Sequence, residues 1–235
     1  MADVPVEAVL FDWGGTLTPW KTIDFEAEWQ AVARVAAPGR EAEAAAALYT
    51  AAETVWARAR EEHRSSTLVE ICTMAGLAYD EAHFVDYRRF WEHATITDED
   101  VLPLFSRLKV DGLKVGVLSN TVWPREWHEE FFRRDGVLDL LDGAVYTSEV
   151  PWTKPAPEVF LAAMRAVGVE DPAACVYVGD RLFEDVWGAA NAGMRTVLVP
   201  HSDIPASQHG HSKGEPDAVV ERLGHVYDVV TAWNS

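Results

Sequence analysis

The spacing of hydrophobic and polar residues changes twice along the chain, at about residue 19 and again at about residue 97. A short apolar run, Ala8–Phe11, predicts a buried strand at the start. In the middle part, apolar residues recur every three or four positions. This spacing predicts helices over 22–37, 40–63, 67–75 and 80–93. The middle part is therefore expected to be an all-helical insert.

From residue 97 onwards, strand and helix patterns alternate. The predicted strands are 114–118, 144–146, 174–178 and 196–199, and the predicted helices are 99–109, 124–134, 157–167 and 183–192. Segment 217–233 adds an edge strand and a terminal helix. Such alternation implies right-handed crossovers and a parallel sheet covered on both faces. We predict an α/β protein with a core of residues 1–18 and 97–235 and a helical domain of residues 19–96.

Charge and composition limit the classes of partner that the protein can bind. The net charge of -18 leaves no long basic track for nucleic acid, and it would repel anionic membrane surfaces. Cys72 and Cys175 both lie within apolar patterns, which favours reduced thiols over a disulfide. No signal peptide and no membrane-spanning run is recognisable, so a cytoplasmic protein is expected. The histidines at 201, 209 and 211 lie in a polar loop, and without a cysteine or carboxylate cluster a solvated loop is favoured over a metal site.

Polar groups follow four of the predicted strands. They are Asp12 with Gly14, Gly15 and Thr16 behind it, Ser119 with Asn120, Lys154, and Asp180 with Asp185. Ligands of open parallel sheets bind beyond the carboxyl ends of the strands, so these groups are expected to meet there. The adjacent glycines allow backbone amides to approach an anion.

The chemistry of these groups suits a metal and a phosphoryl group. Asp12 and Asp180 can share a Mg²⁺ ion, which prefers oxygen ligands. Ser119 and Lys154 can hold the remaining oxygens of a phosphoryl group. Asp185, at a predicted helix start, either binds a metal-bound water or holds Lys154.

Four ordered motifs carry a family resemblance: FDWGGTLT at 11–18, VLSN at 117–120, TKPAPEVF at 153–160 and VGDRLFEDVWGAANAGM at 178–194. As a set they resemble the motifs of the haloacid dehalogenase superfamily. The resemblance implies a Rossmann-like core closed by a helical cap, and it implies a role for each residue. Asp12 resembles the nucleophile that becomes an aspartyl-phosphate; Asp12, the Gly14 carbonyl and Asp180 resemble the Mg²⁺ ligands; Ser119 and Lys154 match the phosphate-binding pair; Asp185 matches the second acid of the last motif.

One position departs from the family pattern. Phosphatases of this family carry a second aspartate two residues after the nucleophile, as general acid and base, and here that position is Gly14. General acid-base help is worth about 10² to 10⁴ in rate. We therefore expect a Mg²⁺-dependent hydrolase of a phosphorylated small molecule with an activated leaving group, such as an acyl phosphate, or with a cap residue or water as proton donor. A monomer or homodimer is expected.

Other functions remain open at this point. The first motif is also similar to that of phosphonoacetaldehyde hydrolases, but the absence of lysine between Lys21 and Lys109 excludes their cap imine. The 2-haloacid dehalogenases lack the second aspartate and need no metal, whereas Asp180 favours one. A phosphotransferase or phospho-sensing protein with a long-lived aspartyl-phosphate is a further alternative, and a non-catalytic binding module is another.

Overall fold

A parallel six-stranded sheet forms the centre of the computed structural model, which describes residues 4–200 and 212–235. Its strands are β1 (Ala8–Phe11), β2 (Lys114–Ser119), β3 (Gly143–Tyr146), β4 (Cys175–Gly179), β5 (Arg195–Leu198) and β6 (Ala218–Val219). Their order across the sheet is β3-β2-β1-β4-β5-β6, and every neighbouring pair is parallel. The predicted α/β fold with a parallel sheet is confirmed.

Helices connect the strands and cover the sheet. They are α1 (Phe25–Ala36), α2 (Glu41–Glu62), α3 (Leu68–Met74), α4 (Val85–Trp91), α5 (Val101–Val110), α6 (Arg125–Arg134), α7 (Pro157–Ala166), α8 (Gly188–Asn191) and α9 (Val226–Trp233). None of the helices in the described part of the chain is both long and apolar enough to cross a membrane.

Alternate side chains of the strands enter two separate apolar cores. Val9 and Phe11 of β1 pack on the face shared with α5, α6 and α9, whereas Ala8 and Leu10 belong to the core beneath α7 and α8. This alternation is the two-residue period of a strand. It accounts for the uniformly apolar sequence of β1, which is buried on both faces.

The segment between β1 and α5 is helical, as predicted. Asp24 begins α1 by accepting a hydrogen bond from the Ala27 amide, and Thr67 begins α3 in the same way through the Glu70 amide. The helix predicted over 80–93 is instead three consecutive pieces, with α4 flanked by the 3-10 turns Glu81–Phe84 and Glu92–Ala94. Phe84 and Tyr87 pack into the core, and Trp91 packs against it. The division into a core and a separate helical domain stays a prediction.

One element differs in kind from its prediction. The helix expected over 183–192 begins as a π-helical turn, Leu182–Trp187, and only then continues as α8. The amide of Val186 donates to the carbonyl of Arg181 five residues back, and the Arg181 amide donates to Asp185 Oδ2. Arg181 precedes the helix, so its amide has no acceptor within the helical ladder, and the Asp185 carboxylate satisfies it.

Two further predictions concern cysteine and histidine. Cys72 and Cys175 are free and buried, which confirms the prediction of core thiols. The three histidines at 201, 209 and 211 lie outside the described residues.

Candidate active site

Strand register brings the predicted residues to one edge of the sheet. Phe11 lies opposite Val117 of β2 and Val178 of β4. Asp12 is therefore one residue beyond that level. Ser119 and Asp180 are each two residues beyond it. The carboxyl end of the sheet thus collects the ends of three neighbouring strands, as the parallel topology requires.

A buried lysine joins two of the carboxylates. Lys154 Nζ lies 2.5 Å from Asp12 Oδ1 and 2.7 Å from Asp185 Oδ1. All three side chains are buried. Asp185 therefore holds Lys154, the second of the two roles that the sequence left open. The lysine ammonium also lies over the ring of Tyr177, 5.7 Å from its centre, which is a cation–π contact.

The electrostatics of the cluster follow from this burial. Desolvation raises the pKa of Asp12 from 3.8 to about 6, and the neighbouring Lys154 charge opposes the rise. Burial alone would lower the pKa of Lys154, but the Asp12 and Asp185 carboxylates raise it well above 10.5. The contact between Asp12 and Lys154 thus favours the charged forms of both groups.

Asp180 forms no salt bridge with a lysine or arginine among the described residues. Burial raises its pKa well above the ordinary value, the charges of Asp12 and Asp185 raise it further, and those of Arg181 and Lys154 oppose the rise. Its Oδ2 atom is buried without a hydrogen-bond partner in the described part of the chain. One carboxylate oxygen from each of the three aspartates lies within 4.8 Å of the others. A divalent cation fits this oxygen-rich, electron-rich donor set.

The two glycines after Asp12 have different surroundings. Gly15 has a positive φ of 95°, and a Cβ at this position would clash with the Asp180 carboxylate. Its amide donates to the carbonyl of Thr18, within the loop itself. A Cβ at Gly14 would meet no atom within 4 Å among the described residues. Gly15 therefore admits Asp180, whereas Gly14 leaves open space.

Thr16 and Asn120 contact residues of this cluster. The Thr16 hydroxyl lies 3.4 Å from Asp12 Oδ2 and 3.5 Å from Asp180 Oδ1, at the long limit of a hydrogen bond. Asn120 Oδ1 accepts from the Lys154 amide at 2.9 Å, and its Nδ2 donates to the Lys154 carbonyl. The Asn120 side chain thus fixes the backbone of Lys154, and its contact with substrate stays a prediction. Ser119 ends β2 as a buried residue beside this loop.

Two contributors escaped the motif analysis. Tyr177 sits in the middle of β4, and its sequence pattern is that of an ordinary core strand. His63 lies at the end of α2, and its carbonyl accepts a hydrogen bond from the Thr153 amide, next to Lys154. In the sequence it belongs to a basic cluster with Arg58, Arg60 and Arg64, for most of which a solvated helix face is favoured over contact with an anionic group of the substrate.

Comparison with known proteins gives a consistent family. The sequence matches the haloacid dehalogenase-like hydrolases over residues 6–193. A glyceraldehyde 3-phosphate phosphatase of Methanopyrus kandleri is 28% identical over 237 residues, which cover 96% of this chain and 97% of the relative. An enzyme of the same description from Methanothermobacter thermautotrophicus is 36% identical over 125 residues, covering 52% of this chain and 54% of the relative.

Solved structures share the fold. A 2-haloacid dehalogenase from Pseudomonas syringae pv. Tomato DC3000 superposes with a TM-score of 0.64 at 21% identity, covering 97% of this chain and 99% of that chain. A HAD phosphatase from Thermococcus onnurineus superposes with a TM-score of 0.63 at 21% identity, covering 96% of this chain and 98% of that chain. At this identity the likeness concerns the fold alone. Because the family match spans most of the sequence, the chain belongs to the haloacid dehalogenase-like hydrolases.

Proposed function

We propose that this hydrolase is a Mg²⁺-dependent phosphatase that acts on a phosphorylated small molecule through an aspartyl nucleophile, Asp12. The observation that carries the proposal is the buried contact of Lys154 with both Asp12 and Asp185, beside the unpartnered Asp180 oxygen. The relatives described as glyceraldehyde 3-phosphate phosphatases support a small phosphate ester as substrate.

The charges of the site suit phosphoryl transfer better than attack on carbon. Three carboxylates face one lysine, so the cluster carries surplus negative charge that a divalent cation would balance. Asp12, Asp180 and the backbone carbonyl of Gly14 would hold the ion, with Asp185 as a further candidate. Bound there, Mg²⁺ would neutralise charge on the phosphoryl oxygens. A dehalogenase of this family would need neither the ion nor Asp180.

The protein residues then have distinct tasks. Lys154 and Ser119 hold the oxygens of the phosphoryl group. Asp12 Oδ2, the oxygen that does not contact Lys154, attacks phosphorus as the bond to the leaving oxygen breaks. The aspartyl-phosphate is hydrolysed when water attacks its phosphorus, which releases inorganic phosphate and regenerates the carboxylate. The helical segment 19–96 acts as the cap that excludes bulk water from this step.

Phosphate release tests this proposal. Purified protein with Mg²⁺ should hydrolyse acetyl phosphate, an aryl phosphate or glyceraldehyde 3-phosphate, and a chelator should remove the activity. Asp12→Asn should reduce turnover to background, because the amide is a far weaker nucleophile. Asp139→Asn, at an exposed position, is the matched control and should behave as wild type.

A parallel assay separates the alternative. Release of chloride from 2-chloropropionate without added metal, together with no phosphate release from any ester, would overturn the proposal in favour of a dehalogenase. Equal phosphate release by wild type and Asp12→Asn would exclude Asp12 as nucleophile.

A further inference from the structure

The open space beside Gly14 raises the question of what assists the leaving group. A side chain at position 14 would project towards a region in which no described atom lies within 4 Å of its Cβ. A substrate oxygen leaving Asp12-bound phosphorus therefore meets no donor from this position. Any help has to come from another segment that reaches the same site.

The end of α2 is such a segment. The amide of Thr153, one residue before Lys154, donates to the His63 carbonyl at 2.9 Å, and the Thr153 hydroxyl donates to the Ala59 carbonyl. Two residues further on, the Ser65 amide donates to the Pro151 carbonyl. These bonds fix the last turn of α2 and the residues after it against the loop that carries Lys154.

The His63 side chain contacts the segment that joins Asp180 to Asp185. Its ring centre is 6.2 Å from that of Phe183, which stands between these two residues in sequence. His63 thus contacts both segments of the site, the residue before Lys154 through its carbonyl and the Asp180–Asp185 segment through its ring.

The conformation of His63 is unusual in two respects. It has a φ of 53°, the left-handed region, and no other non-glycine residue in the described part of the chain has a positive φ. Helices commonly end in this conformation, but with glycine or asparagine. Its Nδ1 atom is buried and has no hydrogen-bond partner among the described residues. Strained backbone and unpaired buried polar atoms are both concentrated at functional sites.

We propose that His63 is a catalytic residue that binds the leaving oxygen of the substrate, in place of the side chain absent at position 14. The proposal rests on the phosphatase function proposed above. With its proton on Nδ1, the imidazole donates a hydrogen bond to this oxygen. The bond between phosphorus and the oxygen breaks as Asp12 attacks, and its electron pair passes to the oxygen. The stabilised oxyanion takes a proton from solvent water on release, and the imidazole keeps its own proton.

This role predicts a substrate class. Help to the leaving oxygen matters most for alkyl phosphates, whose alkoxides leave poorly, and least for acyl phosphates, whose carboxylates leave well without it. With His63 in this role, esters of ordinary alcohols are substrates despite the glycine at position 14.

Two variants that tolerate a left-handed backbone provide the test. His63→Gly removes the side chain, and His63→Asn places an amide nitrogen near the position of Nδ1; glycine and asparagine both accept a positive φ. The kcat/KM of each variant is measured with glycerol 3-phosphate and with acetyl phosphate in the presence of Mg²⁺. His93→Asn, at an exposed histidine of the same insert, is the control.

For His63→Gly we expect a loss of about 10²-fold with glycerol 3-phosphate, the size typical of losing one such donor, and a much smaller loss with acetyl phosphate. His63→Asn should recover part of the alkyl phosphate activity. Equal losses on both substrates, or no loss on glycerol 3-phosphate, would overturn the role of His63 while leaving the phosphatase function intact. Wild-type protein active on acetyl phosphate alone would also overturn it. Wild-type protein inactive on every phosphate would overturn the proposed function and this inference with it.

Discussion

Two adjacent glycines in one loop have opposite requirements. Gly15 combines a left-handed φ with a close approach by Asp180, whereas Gly14 has neither. The sequence shows only two glycines before a threonine, a pattern common to many turns. Glycine is required at position 15 and only tolerated at position 14. This difference follows from the position of the Asp180 carboxylate, more than 160 residues later in the chain.

The pair Gly15→Ala and Gly14→Ala tests this difference. Gly15→Ala should lose most phosphatase activity and about 1 kcal/mol or more of unfolding free energy, because its methyl group displaces Asp180 and its backbone is strained. Gly14→Ala should keep both near wild type. Phosphate release and urea denaturation measure the two effects. Similar behaviour of the two variants would contradict the assignment of Asp180 to the space above Gly15.

The space at Gly14 also permits a gain of function. Gly14→Asp places a carboxyl group where the family resemblance puts the general acid of phosphatases. We expect kcat for an alkyl phosphate to rise, by at most the 10² to 10⁴ that such catalysis supplies, with little change for acetyl phosphate. Rates for both substrates across pH 5 to 8 would show this. A rise that is the same for both substrates would contradict the proposed reason for it.

The sequence patterns predicted which residues meet at the candidate site better than they predicted the contacts that each residue makes. The order Asp12, Ser119, Lys154, Asp180 and Asp185 follows from strand ends, and register then brings them to one edge. The use of Asn120 to hold the Lys154 backbone could not be predicted, because an amide after a strand suits substrate binding equally well. The contact of His63 with the Thr153 amide could not be predicted either, since it depends on which loop the end of α2 meets.

At the scale of elements, the helices of the insert meet through a buried acid. Glu28 of α1 is only 2% exposed, and its Oε2 accepts a hydrogen bond from Trp91 Nε1 of α4 at 2.6 Å. From the sequence alone, a glutamate four residues after a helix cap would be interpreted as an ordinary acidic residue of the first helical turn. Desolvation raises its pKa from 4.5 to about 8, more than the Trp91 bond lowers it. The insert thus contains a proton that the unfolded chain would release near pH 4.5.

This proton makes stability depend on pH in a definite direction. Between pH 4.5 and 8 the folded protein retains a proton that the unfolded chain has lost, so the free energy of unfolding falls as pH rises through that window. The total change is on the order of a few kcal/mol. Glu28→Gln, which can still accept from Trp91, should remove it and be the more stable protein at pH 9.

Urea denaturation at pH 5, 7 and 9 compares wild type with Glu28→Gln. Glu26→Gln, at an exposed position on the same helix, is the control and should follow wild type. If Glu28→Gln shows the same decline as wild type, the proton is not held at Glu28.

The elements themselves were largely predictable, with two exceptions: the division of 80–93 into three pieces and a π-helical turn. Helix and strand periods indicated the parallel sheet and most boundaries to within two residues. The π-helical turn Leu182–Trp187 was not indicated, because over six residues the spacing of apolar side chains does not distinguish a π turn from an α-helix. Local sequence shows which faces are apolar, but over so short a segment it does not show which backbone hydrogen bonds close each turn.

At the scale of the whole molecule, the negative charge buried at the site affects the stability of the fold. The chain carries a net charge of -18, and three of its acids are buried together with one lysine. Folding without a metal must therefore confine surplus negative charge at the edge of the sheet. A cation that binds only the folded protein relieves this repulsion and stabilises the protein by mass action.

Thermal unfolding with and without Mg²⁺ tests the connection. Mg²⁺ should raise the Tm of wild type, because at 100 times its Kd a ligand adds about 2.7 kcal/mol of stability. Asp180→Asn removes one buried charge, so without metal it should unfold at a higher temperature than wild type, and it should lose most of the Mg²⁺ effect. Asp139→Asn is the control, since it changes the net charge equally at an exposed position. An Asp180→Asn protein that keeps the full Mg²⁺ shift would place the ion elsewhere, and the three aspartates would then require another explanation for their burial together.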